Sequence, residues 1–222
     1  MTIEWVFLDV GGILFSDASY FTSLFEAIAE VAPAASRAAF DSKFDALRAA
    51  QSEPFTDALV AEFVADPTLH ERVRDDADER WEERGYVPEE VYPEVPDALR
   101  TLASRYRIAC ITNHFSWVRD RARVAGFDDF VSVWAISTEL RVEKPNPAIF
   151  KRALSEADVP GTLVAMVGDR LDRDIAPAKE LGMRTVWLLR NEAPDAPTPE
   201  QLAVPDAVVQ SLAEVPAILE TW

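Results

Sequence analysis

One cysteine, Cys110, occurs in 222 residues. An internal disulfide is therefore excluded, and the apolar run around Cys110 marks it as a small core residue rather than a nucleophile. Positive charge is scarce: 22 Lys and Arg stand against 39 Asp and Glu, a formal net charge of -17. Such a surface suits neither nucleic acid, whose phosphates need basic contacts, nor anionic membranes. Long hydrophobic runs are missing too, with nothing near the roughly 20 residues that span a bilayer. The amino terminus lacks a basic lead-in, and Glu4 interrupts its one apolar stretch, so no signal peptide is expected. A cytoplasmic enzyme or binding protein, monomeric or homodimeric, with neither nucleic acid nor membrane as partner, is the expectation. An anionic substrate stays possible, since a few basic groups and a metal can invert the field locally.

What is present is ordinary for a globular protein, 49% hydrophobic and 27% charged. The length accommodates one α/β domain with an insertion, or two small domains. Val6-Phe7-Leu8 reads as a buried first strand, and it delivers Asp9 into Val10-Gly11-Gly12-Ile13-Leu14. Strand ends of this kind are where open α/β sheets place their chemistry, and a carboxylate there can act as a covalent nucleophile. From Ser16 to about Gly85 the apolar residues recur at helical spacing, among them Phe21, Leu24, Phe25 and Ile28, and Pro33, Pro54 and Pro67 divide the stretch into four helices. After Val87-Pro88 strands and helices alternate. Helices are expected over 95–106, 117–124, from Pro147 and over 175–181, with strands over 107–112, 130–134, 163–167 and 185–189. A short strand and a last helix follow in 206–222, and Ala193 to Pro199 reads as a surface loop. This alternation implies a doubly wound parallel sheet, an α/β fold, with an all-helical cap over its carboxyl edge.

Three more features fall at strand ends. Thr112-Asn113-His114 follows the 107–112 strand, where a hydroxyl and an amide can hold an oxyanion; the same residues also open ordinary turns. Lys144-Pro145-Asn146-Pro147 sets a cation just before a helix start, a support for phosphate, though a lone lysine there is usually solvated. Gly168-Asp169 follows the 163–167 strand, with Asp172 and Asp174 close behind. Carboxylates gathered at neighbouring strand ends repel unless a cation sits among them, and oxygen ligands suit magnesium. Helix N-capping would account for Asp174 but poorly for Asp169.

On these residues the chain resembles the haloacid dehalogenase superfamily. Asp9-Val10-Gly11-Gly12-Ile13-Leu14 is similar to its first motif and Thr112-Asn113 to its second. Lys144-Pro145 with Asn146-Pro147-Ala148-Ile149-Phe150 is similar to the third, and Gly168-Asp169 through Asp174 to the fourth. The resemblance covers essentially the whole chain. It implies a Rossmann-like core over 1–15 and 88–222, and a small helical cap over 16–87. It further implies a magnesium-dependent phosphatase acting on a small phosphorylated substrate. Asp9 would attack phosphorus; Thr112 and Lys144 would bind the phosphoryl oxygens; Asp9, the Gly11 carbonyl, Asp169 and Asp174 would hold Mg2+. Asn113 and His114 would contact substrate, as would Arg170 and Arg173.

One position departs from the family pattern. Phosphatases of the superfamily commonly carry a second aspartate two residues after the nucleophile, and Gly11 stands there. Glycine can neither protonate a leaving group nor activate water, help typically worth ~10²–10⁴-fold. Asp17, His114 or neighbours of Glu139 are the candidate substitutes. A metal-free haloacid dehalogenase, with Arg37 or Arg48 binding a substrate carboxylate, is the alternative, since halide leaves without a proton. Against it, the family's dehalogenases carry an aromatic residue where Gly11 stands and a fourth motif rich in serine and asparagine. A protein that binds phosphate or a partner with little turnover is the third reading.

Overall fold

A computed structural model describes residues 2–51, 54–85 and 90–222. Its centre is one six-stranded parallel sheet in the order β3-β2-β1-β4-β5-β6. The strands are β1 (Trp5–Leu8), β2 (Arg107–Thr112), β3 (Val131–Ile136), β4 (Val164–Gly168), β5 (Arg184–Leu188) and β6 (Ala207–Val209). Side chains alternate across a strand, and β1 shows what that does here. Val6 and Leu8 join the core on one face of the sheet, with Val95, Leu99 and Val215, while Trp5 and Phe7 join the core on the other, with Ile149, Phe150 and Met183. Burial on both faces explains why the central strands read as unbroken apolar runs. The fold is α/β and doubly wound, as expected.

Between β1 and β2 the chain forms α1 (Ala18–Val31), α2 (Arg37–Ala50), α3 (Phe55–Phe63) and α4 (His70–Arg84). These four helices bury a core of their own. The rings of Phe21, Phe44 and Phe55 meet there with centroids 4.7, 5.0 and 5.7 Å apart, within the range where edge-on aromatic packing adds to area burial. The expected boundary at residues 87–88 lies outside the described residues.

Two of the contact sets that join these helices to the sheet layer are built on hydrogen bonds to the main chain. At one, the chain leaves and returns as a short ribbon: Ser16 N donates to Glu90 O at 2.7 Å, and Phe15 bridges Val91 antiparallel. At the other, Gln51 closes α2 in the left-handed region (φ 51°). Its amide donates to Glu192 O at 2.5 Å and accepts from Leu171 N at 3.0 Å. Beside it Arg48 donates to Ala193 O at 2.9 Å and to Asp195 at 2.6 Å. The stretch 193–199 is therefore more than a surface loop, and Ala193 is fully buried.

The later helices are α5 (Val95–Ala103), α6 (Val118–Val124), α7 (Ser137–Leu140), α8 (Pro147–Ala157), α9 (Ala176–Glu180), α10 (Pro199–Leu202) and α11 (Val215–Leu219). In α8 the sequence signals are realised: Asn146 Oδ1 accepts from Ala148 N at 3.0 Å and Pro147 takes the first turn. The expected helix over 175–181 differs. It begins as a single π-helical turn, Leu171–Ile175, before α9. Widened turns of this type recur at functional sites, and this one carries Asp172 and Asp174.

Candidate active site

Asp9, Thr112 and Asp169 follow or end β1, β2 and β4, which are neighbours in the sheet, so parallel pairing brings all three to one edge. Lys144 arrives from the loop before α8, over a cis bond to Pro145. Asn113 fixes that loop: Lys144 N donates to Asn113 Oδ1 at 2.7 Å, and Asn113 Nδ2 donates to Lys144 O at 2.9 Å. The amide that the sequence assigned to substrate thus clamps the lysine's main chain, while Asn113 also lines the cleft.

The Lys144 ammonium sits 2.7 Å from both Asp9 Oδ1 and Asp174 Oδ1. Asp9 Oδ1 also accepts from Val10 N at 2.7 Å. Among the described residues the other Asp9 oxygen carries no hydrogen bond. Asp174 is fully buried, its second oxygen accepting from Arg170 N at 3.1 Å. It lies so near β4 that a Cβ on Gly168 would collide with its side chain, which is the physical demand for glycine there. Asp169 is held by Glu192 N at 3.0 Å and Asn191 Nδ2 at 3.1 Å, while its carbonyl accepts from the buried Trp187 indole at 2.9 Å.

Charge in this cluster does not balance. Oxygens of Asp9, Asp169 and Asp174 all lie within 4.8 Å of one another, with Lys144 as the ammonium among them. Burial raises the Asp9 carboxyl to about 6; Lys144 opposes the rise and Asp174 adds to it. Asp169 is raised well above its ordinary value by burial, then by Glu192 and Asp174. Burial opposes the charge on Lys144, but Asp174 and Asp9 more than offset it and keep the ammonium firmly protonated. Excess buried negative charge with oxygen donors alone is the environment that a hard divalent cation relieves.

The cluster lies in a cleft of about 880 Å³ between the sheet edge and the helices, lined also by Tyr20, Trp81 and Arg74. Thr112 is buried at the end of β2 and lines it. Arg173 lines it as well. Arg170 does too, but its guanidinium is tied to Asp172 at 2.7 Å and Glu192 at 3.0 Å and lies over the Phe55 ring. His114 packs between the rings of Trp81 and Trp117, with centroids 4.8 and 4.5 Å away. Its Nδ1 accepts from Phe115 N at 2.8 Å. Burial, then the Arg121 charge, lowers its pKa to about 3, so it is neutral near pH 7 and cannot exchange the proton that Gly11 cannot. Neither Arg37 nor Arg48 lines the cleft. Arg37 pairs with Asp41, and Arg48 is bound to Asp195 and Ala193.

Sequence reading missed Asn191 and Glu192. Asn191 takes a left-handed φ of 55° just past β5, a position asparagine tolerates; its place after a strand end was the available signal.

The sequence profile of the haloacid dehalogenase-like hydrolases matches residues 3–182. The chain belongs to that family. It is 34% identical over 192 residues to a phosphoserine phosphatase from Thermus thermophilus, covering 78% of this chain and 73% of the relative. A pyrimidine 5'-nucleotidase from Escherichia coli is 35% identical over 129 residues, 57% of this chain and 56% of the relative. Among solved structures, a haloacid dehalogenase-like hydrolase from Streptococcus pneumoniae superposes with TM-score 0.77 at 18% identity, covering 97% of this chain and 98% of the other. A 2-haloacid dehalogenase from Pseudomonas syringae superposes with TM-score 0.61 at 24% identity, covering 100% of each chain. These two likenesses show the fold. The family makes the chain a hydrolase.

Proposed function

We propose that this hydrolase is a magnesium-dependent phosphatase of small phosphorylated metabolites, working through an aspartyl-phosphate on Asp9. One observation carries the reading: the half-buried Asp9 and the buried Asp169 and Asp174 converge in the cleft, on a lysine that is bonded to two of them. The names of the two relatives described above, a phosphoserine phosphatase and a pyrimidine 5'-nucleotidase, are consistent with it.

In this reading residues 16–87 form a cap over a core of 1–15 and 88–222. Asp9, Asp169 and Asp174, with the Gly11 carbonyl, would hold Mg2+, which when bound supplies the dication that neutralises charge on the transferring phosphoryl group. Lys144 holds Asp9 in one orientation through Oδ1, leaving the unbonded oxygen to attack phosphorus. Thr112 and Lys144 face the phosphoryl oxygens, and the helices exclude water and select the leaving group. No described helix is long and apolar enough to cross a membrane, and a cytoplasmic location is part of the proposal. The dehalogenase reading has lost its carboxylate binders, since Arg37 and Arg48 are engaged away from the cleft.

The deciding experiment measures phosphate and halide release from a panel of phosphate esters and haloacids, with and without magnesium, for wild type and Asp9→Asn. Magnesium-dependent phosphate release that Asp9→Asn abolishes is expected. Metal-independent halide release, or phosphate release untouched by Asp9→Asn, would sink the proposal.

A further inference from the structure

Gly11 leaves a gap, and the structure shows what fills it. A Cβ built on Gly11 would lie 2.5 Å from Asp17 Oδ2 and 2.9 Å from Oδ1. The carboxyl group of Asp17 therefore sits in the space that a side chain at position 11 would occupy, and Asp17 lines the same cleft as Asp9.

Its local role does not account for that placement. Asp17 stands at the N-cap of α1, where aspartate ordinarily accepts a hydrogen bond from the first turn. Here the side chain makes no capping bond. It turns away from the helix and is held by Asn191 Nδ2 at 2.9 Å through Oδ2, the same nitrogen that holds Asp169. Among the described residues Oδ1 has no hydrogen-bond partner.

Cleavage of an alkyl phosphate needs a proton on the departing oxygen, and hydrolysis of the acyl phosphate needs a proton taken from water. Three of the cleft's other acids are engaged: Glu192 and Asp172 on Arg170, Asp174 on Lys144 and Arg170 N. His114 already accepts from Phe115 N.

We propose that Asp17 is the proton donor and acceptor of this site, supplied from the start of α1 in place of a side chain on Gly11. The inference rests on the phosphatase reading. In the first step an Asp9 oxygen bonds to phosphorus, the bond from phosphorus to the leaving oxygen breaks, and the Asp17 carboxyl proton passes to that oxygen, releasing an alcohol. In the second, water oxygen bonds to phosphorus, its proton passes to the Asp17 carboxylate, and the bond from phosphorus to Asp9 breaks. Orthophosphate leaves with both aspartates restored.

The test compares O-phosphoserine and glycerol 3-phosphate, alkyl esters, with p-nitrophenyl phosphate, whose leaving group departs as an anion. Asp17→Asn should lower alkyl-ester turnover by ~10²–10⁴-fold. With p-nitrophenyl phosphate it should keep a fast stoichiometric burst of p-nitrophenolate followed by slow turnover, and acid quench should trap phosphoenzyme. The double variant Gly11→Asp with Asp17→Ala returns a carboxyl group to the same space and should recover at least tenfold over Asp17→Ala alone. Equal losses on both ester types without a burst, or no loss at all, would overturn the inference. So would a double variant no better than Asp17→Ala. Wild-type chain that cleaves none of the three esters would instead count against the phosphatase reading itself.

Discussion

Asn191 Nδ2 donates to Asp17 Oδ2 at 2.9 Å and to Asp169 Oδ2 at 3.1 Å, so one amide group spaces two carboxylates of the site. Removing a group that orients a metal-binding carboxylate typically costs 10–100-fold in activity or metal affinity. Asn191→Ala is expected to fall in that range. Asn191→Asp should be worse, because it adds a fourth negative group beside Asp17, Asp169 and Glu192. Steady-state kinetics with magnesium titration checks both, and equal behaviour of the two variants would refute the spacing role.

Lys144 is 3% exposed and bonded to Asp9 and Asp174. Breaking a buried pair by removing one partner costs about 3–5 kcal/mol. Lys144→Met should lose that much stability by urea denaturation without metal, along with its activity. Magnesium should restore more stability to the variant than it adds to wild type, since the carboxylates left unpaired gain most from a cation.

Magnesium should stabilise the wild-type chain as well. Metal at 100 times its dissociation constant contributes about 2.7 kcal/mol, visible as a higher melting temperature after EDTA treatment and readdition. Asp169→Asn and Asp174→Asn should each shrink the shift. A melting temperature indifferent to magnesium would remove the metal from the proposal.

Asp78, on α4 and lining the cleft, gives a pH test on a carboxyl group outside the Asp9, Asp169 and Asp174 cluster. Burial lifts its carboxyl from 3.8 to about 6, Asp75 adding to the rise and Arg74 opposing it. The folded chain thus binds this proton more tightly than the unfolded chain. Its contribution to stability is full below pH 4, declines between pH 4 and 6, and is lost above. Asp78→Asn should be more stable than wild type at pH 7 by about 1 kcal/mol, a figure reduced for partial exposure. The difference should vanish near pH 4; chemical denaturation at the two pH values measures it.

The strand ends were legible in the sequence because each combines a buried apolar run with a polar break. Val6-Phe7-Leu8 before Asp9 and Ile108 to Ile111 before Thr112 are such cases, and β2 occupies the expected 107–112. What stayed hidden depends on residues far apart in the chain. His114 reads as an open turn residue until Trp81 packs on it from α4. Asn191 meets Asp17 across nearly the whole sequence. The π-helical turn at 171–175 places Asp174 against Lys144, a tertiary requirement that the helical pattern of 175–181 does not reveal.

The ribbon joining residues 14–16 to 90–92 would by itself be a hinge, leaving the four helices free to swing over the sheet edge. Gln51 and Arg48 act as a clasp away from it, bonded to Leu171, Glu192, Ala193 and Asp195. Three of those partners lie in the segment that also carries Asn191. An outward swing of the helices would break these bonds, and with them the support of the segment that positions Asp17 and Asp169. The contacts that hold the helices down thus also steady the segment that aligns those two acids.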